Sequence, residues 1–355
     1  MNTAGELLRE EGGIWYEVVR GVPADVATLL GSVDWGTSGF RYRVLSMDQL
    51  LGNVGDVRFI VAYRDGRLIG CLGIAPRRMV TPASNLTAHF ISLFAVAPGC
   101  GGRGFGWKMA ETARRLLVAE SNAPVLAYAY VEPLNERSSR VARRAGFEPL
   151  AQLLALLVSR TSPRERVPLV LVADLTEEQR RGLEAADREL YADHARLAPA
   201  TGRMTAATHA VVEQGEVIAA AHVAFEHWSV TAMPGASGAL AQYVLPRVPV
   251  LGRVVNPRNH RFLRVGAPFA RPGRERTWVE LVETALHQHG IHTAMILLDE
   301  RSPFASRLLA TGALGVLHRL GMSSEVQLIG GAHGIDGQLT RRFERPLRLC
   351  HLDGE

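Results

Sequence analysis

Residues Val96 to Gly106 read Val-Ala-Pro-Gly-Cys-Gly-Gly-Arg-Gly-Phe-Gly, between an apolar run (Phe90 to Val96) and a helical pattern (Trp107 to Val118). A strand, a glycine-dense turn and a helix start, in that order, expose main-chain NH groups to a ligand. Glycine lets the backbone approach closely and take positive φ, and the first NH groups of a helix have no internal partner. The positive end of the helix dipole stands behind them, so the chemistry is the binding of a pyrophosphate. The register is V-x-P-x-x-x-x-R-G-x-G on Val96, Pro98, Arg103, Gly104 and Gly106. A P-loop would close with Gly-Lys-Ser/Thr where Gly104, Phe105 and Gly106 stand. A Rossmann fingerprint would need an acidic residue closing the next strand; none lies in Pro124 to Ala127, although Glu132 follows.

A second spaced element runs from Asn135 through Ser138, Val141 and Ala142 to Gly146 and Phe147. Together the two stretches resemble the GNAT superfamily of N-acyltransferases. The first is similar to its acyl-CoA motif, V-x-P-x-x-[Arg/Gln]-x-x-G-x-[Gly/Ala], and the second to N-x-x-A-x-x-L-Y-x-x-x-G-F. The two cover about residues 90 to 147, and the resemblance extends from residue 13 to about 160. Two positions depart from the family pattern. Gly101 stands where Arg or Gln is usual, which leaves the main-chain NH in place. Ala142 stands where many members carry the tyrosine that protonates the departing CoA thiolate.

The elements that must position these residues are readable from pattern. Ile14 to Arg20 reads as a strand, Pro23 to Leu30 as a helix, and Arg58 to Ala75 as a hairpin turning at Asp65-Gly66. Phe90 to Val96 is a strand, followed by the loop, a helix to about Val118, a strand Pro124 to Val131 and a helix from Asn135. Phe105, Met109, Ala113, Leu116 and Leu117 share one helical stripe that must pack on a sheet. After the polar run Arg160 to Arg166 the order repeats: strand Leu169 to Ala173, helix Thr176 to Ala192, hairpin His209 to Ala224, strand Arg261 to Val265, helix Glu275 to Gln288, strand Thr293 to Leu298, and a helix from Ser302. Val211 to Ala219 lies on Ala62 to Gly70 without gaps. The expected fold is α/β (α+β), with two tandem GNAT-like domains, 1–160 and 161–355, each a mixed, mostly antiparallel central sheet flanked by helices. The second is expected to be degenerate. After Val265 it carries Pro268 and Pro272 in place of glycines, and Glu275 puts negative charge where a phosphate would sit.

Composition bounds the alternatives. The chain has 355 residues, 47% hydrophobic and 21% charged, ordinary for a two-domain globular protein. No apolar run approaches the ~18 residues that cross a membrane, and the start carries Glu6, Glu10 and Glu11 in place of a signal peptide. Cytoplasmic placement and no membrane partner are expected. Cys71, Cys100 and Cys350 are scattered, which suits a reducing compartment, and Cys100 reads as a small turn residue. His287, His289 and His292 have no acidic or cysteine partner at ligand spacing, so no metal is expected. The net charge is +5, but arginines are mixed with Glu and Asp along most of the chain and Lys108 is the single lysine. That usage reads as a GC-rich, bacterial genome, and no nucleic-acid partner is expected.

The resemblance implies acetyl-CoA or another acyl-CoA as co-substrate. It would be held by the backbone of Phe94, Ala95 and Val96, by Gly101, Gly102, Arg103, Gly104, Phe105 and Gly106 around the pyrophosphate, and by Asn135 near the thioester. An amine acceptor with pKa near ~10.4 must lose a proton before it attacks, so a base is required. Glu132, at the end of its strand, is the first candidate, and His89 a second. Tyr130, with Tyr128 on the same face, would supply the acid; Asn135 completes the expected catalytic set. The expected activity is N-acyl transfer, N-acetyl in the first place, to a small-molecule amine. Ala142 and Gly101 keep open an acyl-CoA-binding sensor or pseudoenzyme, and other acyl-CoA chemistry such as O-transfer or decarboxylation.

Overall fold

The computed structural model describes residues 5–36, 40–53, 55–81, 84–102, 104–199, 208–233, 235–248, 251–254, 256–333 and 343–349. The first half contains β1 (Glu6–Glu11), β2 (Ile14–Arg20), α1 (Ala24–Ser32), β3 (Trp35–Gly36), β4 (Arg41–Val44), α2 (Met47–Asn53), β5 (Arg58–Arg64), β6 (Arg67–Thr81) and β7 (Ser84–Val96). It continues with α3 (Phe105–Glu120), β8 (Val125–Val131), α4 (Glu136–Arg144) and β9 (Glu148–Ser159). The second half opens with β10 (Val170–Leu171), α5 (Glu177–Leu190), β11 (Ala195–Pro199), β12 (Thr208–Glu213) and β13 (Glu216–Ala232). Then come α6 (Gly235–Tyr243), α7 (Leu251–Val254), β14 (His260–Ala270), α8 (Glu275–His289), β15 (Thr293–Asp299), α9 (Pro303–Ala310), α10 (Val316–Arg319), β16 (Ser324–His333) and β17 (Leu347–Leu349).

Every strand joins one hydrogen-bonded sheet. Its main run is β1-β2-β5-β6-β7-β8-β16-β9-β15-β14-β13-β12-β10. Neighbours are antiparallel except β7/β8 and β14/β15 in this run and β11/β17 beside it, so the mixed, mostly antiparallel sheet flanked by helices is as expected. The last long strand of each half lies among strands of the other. β16 pairs with β8 from Val125 to Val131, and β9 pairs with β15 from Leu153 to Ser159. Two short strands cross as well: β4 pairs with the far end of β13, and β11 with the far end of β6. Chain position 160 therefore does not divide the sheet.

Alternation along the strands sorts the core into layers. Ile60, Ala62, Leu72 and Ile74 meet Phe105, Met109, Ala113 and Leu117 of α3 on one face, the stripe anticipated from sequence. Phe59, Val61, Cys71, Leu93 and Ala95 point the other way, onto Val26, Leu29 and Leu30 of α1 and Leu50 of α2. In the second half, Trp278, Val282 and Leu286 of α8 cover Ala219, Ala221, Leu263 and Val265. Between the halves, Phe90, Leu126 and Tyr128 pack with Leu153, Leu328, Leu197, Phe343 and Leu347.

Helix starts follow the expected caps. Pro23 precedes α1, and Thr176 forms a capping box with Gln179 at α5. Strand ends depart more. β7 begins at Ser84, well before Phe90, and the sheet opens earlier than expected because β1 pairs with β2. The strand expected over Leu169 to Ala173 is only Val170–Leu171, followed by a 3-10 turn. Gly266 to Ala270, read from sequence as the second glycine-loop counterpart, is the continuation of β14, so Pro268 is a strand residue. The turn that leads into α8 is the short stretch Arg271 to Arg274.

Candidate functional site

The parallel strands β7 and β8 pair only from Thr87/Val125 to Phe90/Tyr128. Beyond that point they part, and β8 stays fully paired on its other side to β16. The β8-facing edge of Ile91 to Val96 is left without a strand partner among the described residues, while its other edge holds β6 through Ala95/Cys71 and Val96/Gly70. The divergence has a local cause. Leu93 sits at φ 49°, and the β6/β7 register shifts between Cys71 and Gly73, a bulge that turns the strand. The open slot is where an extended arm can hydrogen-bond to backbone. Phe94, Ala95 and Val96 line it, and so does Leu93, which no residue type in the sequence signals.

The slot leads to the glycine loop. Gly99, Gly102 and Gly104 hold φ of 79°, 83° and 79°, the left-handed conformation that exposes consecutive NH groups. Gly104 is the N-cap of α3, with no side-chain cap on the first turn. A Cβ on Gly106 would stand 3.0 Å from Phe94 Cζ, so its lack of side chain seats the helix start against the slot wall. Gly101 takes an unstrained φ and faces open space. Phe105 is buried under the Arg64 guanidinium, 4.7 Å from its ring centre, and can contribute only its NH. Arg103 lies outside the described residues, as does Cys350.

Across the open end of the slot from the glycine loop, Glu132 follows β8. Its carboxyl is half-buried and burial holds its pKa above the ordinary range; no ion pair or hydrogen bond holds it among the described residues. By alternation Tyr128, Tyr130 and Glu132 share the face opposite α3. Phe90 packs on both tyrosines, ring centres 5.4 and 5.3 Å away. Asn135 is close in sequence, but its Oδ1 accepts from Ser138 N at 2.9 Å and caps α4. The Asn135 Oδ1 therefore serves the start of α4. His89, one residue before Phe90 on β7, stands beside Arg58 and Glu120, which bond to each other. Burial and the Arg58 charge bring its pKa down to about 4.

The second half contributes to this end of the site. Tyr42 of β4 stacks on Trp228 of β13, ring centres 4.1 Å apart. Trp228 Nε1 donates to Glu226 (3.1 Å), and Glu226 pairs with Arg264 at 2.7 Å, both buried. The Tyr42 phenol pKa is raised by burial and then by the Glu132 and Glu226 charges, so phenol and Glu132 carboxyl share one electrostatic environment. Tyr42, Glu226, Trp228 and Arg264 were not legible as site residues, since the contact depends on β4 crossing to β13.

A matching slot opens between β14 and β15, which pair only from Leu263/Ala294 to Val265/Ile296. It is filled. The Tyr191 hydroxyl donates to Pro268 O at 2.8 Å, Leu347 N donates to the buried Asp299 at 2.9 Å, and the residual cavity is about 10 Å³. At the start of α8, the buried Glu275 carboxylate pairs with Arg307. No group of three or more metal-ligating side chains occurs among the described residues.

Residues 28–147 match the family model of the acetyltransferase (GNAT) family. No curated protein matches the chain. Among solved structures, the fold is similar to Saccharomyces cerevisiae N-myristoyltransferase with bound myristoyl-CoA, with a TM-score of 0.58 at 9% identity over 99% of this chain and 92% of that one. It is also similar to a GCN5-related N-acetyltransferase from Anabaena variabilis, with a TM-score of 0.50 at 12% identity over 89% of this chain and 72% of that one. At these identities the likeness is one of fold.

Proposed function

We propose that the protein transfers an acyl group from acyl-CoA to an amine, with one competent site in its first half. The observation that carries this reading is the slot between β7 and β8 running into the left-handed glycine loop at the start of α3. That arrangement suits a CoA ester: strand edge for the pantetheine amides, NH groups of Gly101, Gly102, Gly104, Phe105 and Gly106 for the pyrophosphate. The family match over residues 28–147 covers both parts.

Glu132 takes the proton of the acceptor ammonium. Its raised pKa brings it nearer to the working pH than an ordinary carboxylate. The neutral amine then attacks the thioester carbonyl, the new C–N bond forms as the C–S bond breaks, and the thiolate takes a proton from a hydroxyl or water that is made good by the proton the nitrogen sheds as the neutral amide forms. Tyr130 is the nearer candidate by sequence position, and Tyr42, stacked on Trp228 of the second half, joins it. Phe90, Tyr128 and Tyr130 close the slot where the strands rejoin, which favours a short acyl chain, acetyl first. The acceptor is read as a small-molecule amine.

Residues 161–355 are read as a second copy of the first half. The support is the shared order of pairing, β2-β5-β6-β7-β8 against β10-β12-β13-β14-β15, with the parallel pair last in each. Ala142 favours a second reading, an acyl-CoA sensor. Incubation with acetyl-, butyryl- and myristoyl-CoA against a panel of amines, reading thiol release and product mass, separates the two. Amine-dependent release with an acylated product supports transfer; saturable binding without turnover of any pair leaves the sensor.

A further inference from the structure

The two copies differ most in how one strand passes to the next. β6 ends at Thr81 and β7 begins at Ser84, whereas β13 ends at Ala232 and β14 begins only at His260. A two-residue link suffices for the fold, so the longer excursion calls for another purpose. It is anchored from within: Ala241 and Val254 are buried, Gln242 Nε2 donates to Thr231 O, and Thr293 Oγ1 donates to Val254 O at 3.0 Å.

Its outer side is apolar. Leu240, Tyr243 and Val244 are 50, 50 and 48% exposed, and their i, i+3, i+4 spacing puts them on one face of α6 and its continuation, where Val244 N bonds to Leu240 O. Val248 follows at 37%, whereas the other large apolar residues as exposed as these are scattered over the chain. The charge along the excursion has one sign. From His227 to Arg274 the sequence contains no Asp or Glu. Of its arginines, Arg264, Arg271 and Arg274 pair with carboxylates elsewhere. Arg247, Arg253, Arg258 and Arg261 are exposed and form no ion pair with a carboxylate among the described residues.

We infer that this excursion seats the protein on an anionic phospholipid surface, with Leu240, Tyr243, Val244 and Val248 entering the interface and the four arginines against lipid phosphates. An apolar helix face bordered by arginine, without carboxylates, has the two attractions that interfacial binding sums. The sequence expectation of no membrane partner rests on the lack of a spanning run, and adsorption needs none; no helix among the described residues is long and apolar enough to span.

The test is co-sedimentation of the full chain with phosphatidylcholine vesicles with and without phosphatidylglycerol, at low and high salt, alongside light scattering without lipid. Phosphatidylglycerol should raise partitioning at least about tenfold, and salt should reverse it. The exposed pairs Leu240→Ser with Val244→Ser, and Arg247→Glu with Arg253→Glu, should each lower it at least about tenfold with melting unchanged. Equal partition onto neutral and anionic vesicles, or variants that bind as the wild type does, overturns the proposal. So does a dimer without lipid affinity that the Leu240→Ser, Val244→Ser pair disperses, which would make this face a contact between copies. Acyl transfer in solution is read separately and stands or falls on its own.

Discussion

Leu93 and Ala267 hold the same backbone conformation, φ 49° and φ 45°, at matching points of β7 and β14. Both strands are bulged there against their antiparallel neighbour, between Cys71 and Gly73 in one case and Ala220 and His222 in the other. Left-handed non-glycine residues cost of order 1–3 kcal/mol each, so each bulge holds its strand in a strained turn. Asp65 and Gln214, at φ 50° and 52° before Gly66 and Gly215, repeat the hairpin turn in the same way. Both bulges precede a slot. What differs is the content: the first slot is open, and the second holds Tyr191 and Leu347.

Gly104→Asp is expected to weaken acyl-CoA binding at least tenfold, about 1.4 kcal/mol. The position is left-handed at φ 79°, and a carboxylate at the α3 N-cap would face the phosphates. Calorimetry on wild type and variant checks this; Gly101→Ala, whose Cβ meets nothing and whose φ is unstrained, should lose little.

Glu132→Gln is expected to lower kcat/KM by roughly 10²–10⁴, the usual contribution of a general base. The wild-type rate should rise with pH through an apparent pKa above the ordinary carboxylate range, because burial raises that carboxyl, and the variant should lose that limb. Stability should move the opposite way. A folded-state pKa above the unfolded one means that the native state binds more protons in the window between them, so stability falls as pH rises through the folded pKa. The variant should therefore melt higher than wild type at neutral pH, and the gap should close below the ordinary carboxylate pKa. Parallel thermal melts and pH–rate profiles test both halves.

Much of this site was legible in sequence because local physics fixes it. The glycine loop, the Asp65-Gly66 turn and the Phe105, Met109, Ala113, Leu117 stripe depend on neighbours a few residues away. Asn135 was placed correctly at a helix start, but its side chain serves the helix, since a cap and a ligand contact draw on the same oxygen. The Tyr42 to Trp228 stack and the filling of the second slot by Leu347 were not legible. They arise from strands β4, β11 and β17 pairing across long sequence separations, where no periodic pattern carries the register.

Ala142→Tyr tests how the thiolate is protonated. Ala142 lies on α4 and packs at the margin of the α3-side core. A thiol pKa near that of cysteine, about 8.5, lets water or a nearby hydroxyl serve at modest loss. The expected change in turnover is under about tenfold. A rise of about a hundredfold with melting unchanged would identify the natural protein as a weakened enzyme and favour the sensor reading.

The last prediction concerns stoichiometry and the dependence of one half on the other. In the second slot the Tyr191 hydroxyl occupies Pro268 O, Pro272 offers no NH, and buried Glu275 opens α8 with negative charge. Removing the filling side chain does not remove that charge, so Tyr191→Ala should still titrate with one equivalent of acetyl-CoA, as wild type does. Two equal sites in either protein would overturn the reading of the second half as degenerate. Truncation after Arg160 should be more damaging than the position of the glycine loop suggests. It strips β16 from β8 along Val125 to Val131, takes β11 from β6, and uncovers Phe90, Leu126 and Tyr128. It also leaves β9 without either of its neighbours. Bare strand edges beside exposed apolar surface aggregate. The fragment 1–160 should be insoluble, or bind acyl-CoA at least tenfold more weakly; a soluble fragment with wild-type affinity would show that the crossed strands contribute nothing to the slot.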